Sequence, residues 1–426
     1  MRESFFTFTT SSSSMALSAS TETEIITRFQ TYLRINTVQP DPDYIAAANF
    51  IISQAKSISL ESQSIEFVPG KPIVLLRWSG TDPSLPAVLL NSHVDVVTFE
   101  EEKWTHPPLG AEIDEEGKIY ARGTQDMKSV GMQYLEAIRK LKASGFEPLR
   151  SVYVTFVPDE VIGGVDGVAK FVESETFKNM NIAIVLDEGL PSPTDSYRVF
   201  NGERNAWSIQ IKAVGQPGHG SKLYDNSAME NLTKSIESIM RFRASEFDQL
   251  KTGLEADGDV VSINMVYLKA GTPTPDNGFV MNLQPSEAEA GFDMRVPPDV
   301  DSEELERRLV LEWASPARNM SFELWRSDQG IPKKHLVTAK DNSNPWWELL
   351  ENAVKEAGGL ISEPEIFPAG TDSRYFRRAG LPAIGFSPIS KTPSLLHDHN
   401  EYVSQSEYLK GIDMYVSILK AYTSYA

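Results

Sequence analysis

The sequence predicts an α/β protein, built on a mainly parallel sheet into which a smaller α+β unit of ferredoxin-like order is inserted. Three observations predict it. Before about residue 200, short Val/Leu/Ile runs alternate with helical periods; from about residue 201 the order becomes β-α-β-β-α-β; after about residue 335 the first rhythm returns. The chain is thereby divided into a leader (1–20), a first part of the main domain (21–200), the insert (201–328) and a second part of the main domain (329–426).

Each element has a local reason. In TETEIITRFQTYLRINTV, Ile25, Ile26, Phe29, Tyr32 and Leu33 recur at helical spacing, and DYIAAANFIISQAKSISL reads as a second amphipathic helix. PIVLLRW, PAVLLNSHVDVV, SVYVTFVPDE and NIAIVLDEG are continuous apolar runs, as strands buried on both faces require. Helices are expected across MKSVGMQYLEAIRKLKASG and near VDGVAKFVES. In the insert, WSIQIKAV alternates like a half-buried strand, and NSAMENLTKSIESIMRF sets Met229, Leu232, Ile236 and Ile239 on one helical face. VVSINMVYL and AEAGFDMRV follow as strands, SEELERRLVLEW as a helix and SFELWRS as the last strand. NPWWELLENAVKEAGG, LPAIGFSP and VSQSEYLKGIDMYVSILKAY give a helix packed at its start by Trp346 and Trp347, a strand and a closing helix. The leader is rich in Ser and Thr, and its longest apolar piece is too short for a secretory signal. It fits a weak transit peptide or a disordered tail, with Met15 as an alternative start, and the expected location is the cytoplasm.

Composition removes several kinds of function. The chain has 426 residues, 40 Lys plus Arg against 59 Asp plus Glu, a formal charge of −19, no cysteine and six histidines. A surface this acidic repels a phosphate backbone, so neither nucleic acid nor an anionic membrane is an expected partner. No run approaches the ~20 apolar residues of a membrane span. Without cysteine there is no disulfide, no thiolate nucleophile and no sulfur-ligated metal, so any metal must rest on His, Asp and Glu.

Polar residues that are costly to bury stand at the ends of the apolar runs. His93 and Asp95 follow PAVLLNS, and at i and i+2 of a strand they would share a face. Asp159 and Glu160 end one strand, Asp187 and Glu188 another, and Asp126 stands where a strand-to-helix turn should open the next helix. Ligands of open α/β sheets bind at the carboxyl ends of the strands, so these acids converge there. Two carboxylates about 4 Å apart repel by roughly 4 kcal/mol at an effective dielectric of 20. Such a cluster takes up protons or binds a cation, and the nearby histidine points to zinc on nitrogen and oxygen, with Asp95 behind His93 and Glu160 free to act on water. A lone His-x-Asp is weak, and acids at strand ends are often only turn residues or caps. It is their coincidence within one domain that carries the reading.

NSHVDVV, YARGTQDMKSVGMQYLEAIRKL, TFVPDE followed by Gly163-Gly164, LDEG, PGHGS, GTDSRY and LLHDHNEYV come in the order seen in the two-zinc metallopeptidases. From about residue 22 onward the chain resembles that family, and within it the aminoacylases. The resemblance implies a zinc-hydrolase catalytic domain with a ferredoxin-like lid that forms a homodimer interface, and hydrolysis of N-acyl-L-amino acids to a carboxylate and a free L-amino acid. It makes His93 and Glu188 ligands of one zinc, Asp126 the bridging carboxylate and His397 a ligand of the second zinc. Glu160 takes the place of the general base, Asp95 that of the residue orienting His93, and His219 that of a lid histidine stabilising the tetrahedral intermediate, often from the other subunit. Asn282, Arg295 and Arg374 match substrate-side positions; an arginine fork suits a carboxylate.

One position departs from the pattern. The family has two successive glutamates before the Gly-Gly, the second a zinc ligand, whereas this chain reads PDEVIGG, with Val161 in that place. One zinc is therefore expected to be held tightly and a second weakly or not at all. A dipeptidase or carboxypeptidase of the same fold, or a weakly active relative that binds without turnover, are the alternatives. His399 is read as a neighbour of the site, and His106 and His335 as solvated loop residues.

Overall fold

The computed structural model describes residues 19–329, 335–341 and 343–426. The leader up to residue 18, with Met15, lies outside the described residues. The main sheet has eight strands in the order Glu61–Glu66, Pro72–Trp78, Val152–Val157, Ala87–His93, Ile182–Asp187, Ala383–Phe386, Val199–Glu203 and Glu365–Phe367. The four central strands, from Val152–Val157 to Ala383–Phe386, run parallel, and antiparallel pairings flank them.

Alternation along the strands explains the continuous apolar runs. Val74, Leu76, Val88 and Leu90 enter a large core on one face, with the helices Ala19–Leu33, Tyr44–Ser57, Lys128–Ala143, Pro345–Glu356 and Gln405–Ser424. Ile73, Leu75 and Leu89 enter a second core on the other face, under Val168, Phe171 and Phe376. Both faces are covered, so no strand residue of AVLLNSH reaches solvent. Trp346 and Trp347 are packed in the large core. The edge strand ESQSIE gives no apolar signal because nearly all of it is exposed.

Residues 205–326 form a second, four-stranded antiparallel sheet in the order Ser262–Ala270, Glu287–Val296, Asn205–Val214 and Met320–Arg326. With the helices Ala228–Thr252 and Ser302–Arg308 this is the β-α-β-β-α-β unit read from the sequence. Leu232 and Ile239 point into its core, but Met229 is 40% exposed, because the helix settles on the sheet through Ala228 instead. A third, small sheet joins Glu112–Ile113, Lys118–Tyr120 and Tyr402–Ser404, so that the segment before the closing helix is stitched to the loop that precedes Asp126.

Candidate metal centre and its cleft

His93 is the last residue of the central strand Ala87–His93 and is 1% exposed. Its Nδ1 lies 2.9 Å from the backbone oxygen of Asp95, an N–H to carbonyl bond that fixes the ring and turns Nε2 towards the acids. Nε2 faces Asp126 Oδ1 at 2.9 Å and Glu188 Oε2 at 3.7 Å. Asp95 stands behind the ring, and its main chain makes the closer contact. The strand stops at His93, and the Asp95 carboxylate, 3.7 Å from Nδ1, does not hold the ring; its backbone carbonyl does. That carboxylate instead accepts from Gln39 Nε2 at 2.8 Å and from the Glu160 backbone N–H at 3.1 Å.

Asp126 directly precedes Met127, the cap of the helix Lys128–Ala143, as expected. The strand before it, however, belongs to the small third sheet and not to the main one. The loop from Arg122 to Gln125 is held by Glu401, whose fully buried carboxylate accepts from Arg122 Nη1 at 2.7 Å, Gly123 N at 3.0 Å and Gln125 N at 2.6 Å. Gln125 returns the grip, accepting from Leu395 N and donating to the carbonyls of Pro393 and Tyr402. These bonds bind the loop of Asp126 to the segment of His397. His397 Nε2 therefore meets Asp126 Oδ2 at 2.9 Å, and each oxygen of Asp126 faces one histidine. At Gly131 a side chain would sit 2.6 Å from Ser92 Oγ and 2.7 Å from Phe156, so only glycine lets this helix lie close under the His93 strand.

In each pair of strand-end acids the first is taken up by the fold and the second enters the site. Asp159 accepts from the backbone of Asp166 and pairs with Lys71, while Asp187 accepts from Asn91 and Ser373. Glu160 and Glu188 stay behind as buried acids beside His93. Burial first, then the charge of Glu188, pushes Glu160 well above the usual carboxylate range; burial first, then Asp126 against the bond from His93, does the same to Glu188. Burial acts on Asp126 in the same sense, but the bonds from His397 and His93 overcome it and hold that carboxyl well below its ordinary value.

Donor atoms of His93, Asp126 and Glu188 lie within 4.8 Å of one another, all buried. One imidazole and two carboxylates that repel each other unless a cation separates them form a donor set that fits a divalent ion of nitrogen and oxygen preference. For a second ion Asp126 and His397 face each other among the described residues, and Val161, in the same cleft, offers no donor.

A cleft of about 820 Å³ opens between the two sheets, and Glu160, Val161, Arg295, Arg374 and His397 line it. Arg295 makes a bidentate pair with Asp293 at 2.8 and 3.1 Å, and Arg374 donates from Nη2 to the Gly163 carbonyl at 2.8 Å. His219 and Asn282 are not among the lining residues. They lie together on the exposed pairing of Gly218–His219 with Leu283–Gln284, where Gly220 N donates to the Asn282 carbonyl and His219 Nδ1 meets Ser221 Oγ at 2.8 Å. His335, read from the sequence as solvated, lines the cleft half-buried, because the fold brings its loop back over the strand Val199–Glu203. His106 stacks on Tyr120 and bonds Glu112, while His399 lies 3.6 Å from Glu100. Sequence reasoning missed the parts played by Gln39 and Gln125. Their partners, 56 and 277 residues away at the furthest, leave no local pattern.

The profile of peptidase family M20/M25/M40 matches residues 89–421, from within the His93 strand into the closing helix. Aminoacylase-1 of Mus musculus is 44% identical over 400 residues, covering 94% of this chain and 95% of that protein, and aminoacylase-1 of Dictyostelium discoideum is 43% identical over 405 residues, covering 93% and 97%. Among solved structures, an M20 family metallo-carboxypeptidase from Sulfolobus solfataricus is similar in fold, with a TM-score of 0.70 at 18% identity over 94% of this chain and 100% of that one. The family model covers most of the chain and these relatives nearly all of it, and the chain belongs to peptidase family M20/M25/M40.

Proposed function

We propose that the protein is a zinc-dependent amidohydrolase that cleaves N-acyl-L-amino acids into a carboxylate and a free L-amino acid. The observation that carries this reading is the buried Glu160 set beside the donor group of His93, Asp126 and Glu188, in a chain 41–44% identical over most of its length to aminoacylase-1 proteins. A divalent ion on those three residues would act as a Lewis acid and bring a water's pKa down to about 7. Glu160 takes the proton of the attacking water and delivers it to the departing nitrogen, so no covalent intermediate on the protein is needed. Asp95 holds the Glu160 backbone and, through its carbonyl, the tautomer of His93. Arg295 and Arg374 present guanidinium groups to the substrate carboxylate from two walls of the cleft. His219 supplies a donor to the developing oxyanion.

That last role supports a homodimer. His219 is exposed on its own subunit, and the edge strand Ser262–Ala270 shows solvent a row of Met265, Val266, Tyr267 and Leu268, 40–63% exposed. An unpaired apolar edge of this kind is suited to a two-fold copy. The substrate reading is tested by the zinc-loaded protein on N-acetyl-L-methionine and on an unmodified dipeptide such as Met-Ala. Faster cleavage of the acetyl compound is expected; a preference for the dipeptide would move the assignment to the peptidases of the same family.

Metal content follows from Val161. The wild-type protein, dialysed against metal-free buffer, is expected to keep about one zinc per subunit, since one site has three protein donors and the other two. Val161→Glu should raise the content to about two and increase turnover, because a second ion clamps both the attacking and the developing oxygen. Two tightly held zinc ions in the unaltered protein would contradict this.

A further inference from the structure

The wall of the cleft that follows Glu160 is apolar and open. Val161, Ile162 and Val165 line it, and Ile162 and Val165 are 58% and 60% exposed. From the edge strand Met320–Arg326 of the second sheet, Trp325 lines the same cleft and is 59% exposed. Exposed large apolar residues are ordinary when scattered, but three of them beside the half-buried Val161 in one concave site form a surface suited to an apolar group. The loop that carries three of them is held in place. The Gly163 carbonyl accepts from Arg374 and, at 2.6 Å, from the Tyr375 hydroxyl, Gly164 N donates to the Asp159 carbonyl, and Lys71 pairs with Asp166 at 2.8 Å. Part of the cationic lining is already neutralised, with Arg377 on Glu203 and Arg326 on Asp328.

We propose that this apolar wall receives the acyl chain of the substrate, so that the enzyme is directed at amino acids carrying an extended aliphatic or aromatic acyl group in preference to acetyl. The inference rests on the N-acyl-amino-acid reading above. The carbonyl carbon under attack must lie beside Glu160, and the acyl chain leaves from that same carbon. Val161 and Ile162, next in the chain after Glu160, line the same cleft and offer that chain an apolar surface. The amino-acid side chain branches further along, on the carbon that also bears the carboxylate, and is drawn towards the arginines. A cleft of about 820 Å³ is near the upper end of the ~300–1,000 Å³ usual for small-molecule pockets, and leaves room well beyond an acetyl group. The valine that removes a metal donor at position 161 also makes the first residue of this wall apolar.

The test compares kcat/KM of the zinc-loaded full-length protein for N-acetyl-, N-hexanoyl- and N-phenylacetyl-L-alanine, and for N-acetyl-L-2-aminooctanoate. The hexanoyl compound is expected to exceed the acetyl compound by ~10-fold or more, since even one buried methylene can be worth ~10-fold in a fitted pocket. Trp325→Ala, and separately Ile162→Ser with Val165→Ser, should bring that ratio down towards one, the change falling mainly in KM. All these side chains are largely exposed, so the variants are expected to fold, and an unchanged Tm confirms that the ratio reports the wall. Cleavage of the acetyl compound with no gain for hexanoyl would overturn this inference and leave the parent reading standing. A gain confined to the aminooctanoate would overturn it by giving the wall to the amino-acid side chain. No cleavage of any compound would overturn both readings.

Discussion

Glu160→Gln is expected to lower kcat by roughly 10²- to 10⁴-fold, the range for loss of a general acid–base group. The substitution keeps the size and shape of the side chain, and the backbone bond from Glu160 to Asp95 is untouched, so metal content should remain that of the unaltered protein. Stability gives the readout that separates a base from a structural residue. Glu160 is buried beside Glu188, and its carboxyl is raised well above the ordinary range. An acid whose folded pKa is raised binds its proton more tightly folded than unfolded. Its ionised form therefore disfavours the fold, increasingly as pH rises above the unfolded value of about 4.3. The amide cannot ionise, so the metal-free Gln variant should melt at or above the temperature of the metal-free parent at neutral pH, while turnover collapses. Activity within ~10-fold of the parent would take the base away from Glu160.

How much of this site could be read beforehand depended on whether a residue's reason lay in its own segment. His93, Glu160 and Glu188 sit at the ends of apolar runs, where an ionisable group is conspicuous because burying it is costly. The two cores likewise follow from period-two alternation in runs such as PIVLLRW, whose odd and even residues go to opposite faces. The polar edge strand Glu61–Glu66 was illegible for the opposite reason, since it buries almost nothing. Glu401 illustrates a different limit. It stands in the same short segment as His397, but its work is to bind the Arg122–Gln125 loop, 276–279 residues away at the contacts. The spacing of Asp95 from His93 predicts a carboxylate facing the ring, but the strand ends two residues before Asp95 and its backbone carbonyl lies closer to the ring than its carboxylate. Such exchanges between side chain and main chain leave no trace in residue type.

His219→Ala should lower kcat by about 10²- to 10³-fold, as loss of one oxyanion donor does, although the histidine lies outside the cleft of its own subunit. The pairing of Gly218–His219 with Leu283–Gln284 is a short projecting ribbon, and Leu223, Phe279 and Met281 around it are 102%, 58% and 90% exposed. In the homodimer proposed above, a two-fold partner that pairs along the Ser262–Ala270 edge would bring a copy of this exposed ribbon with it. The consequence is an asymmetric pair of tests. Coupled in one dimer, a Glu160→Gln subunit and a His219→Ala subunit each lack what the other retains. The cleft of the His219→Ala subunit keeps its own Glu160 and receives His219 from its companion, whereas the other cleft lacks both. The isolated heterodimer, purified through two different tags, should therefore recover about half the rate of the unaltered dimer, one working site of two related by the two-fold axis. If His219 served its own subunit, both clefts of the heterodimer would be defective, and its rate would stay at the level of the single-variant homodimers.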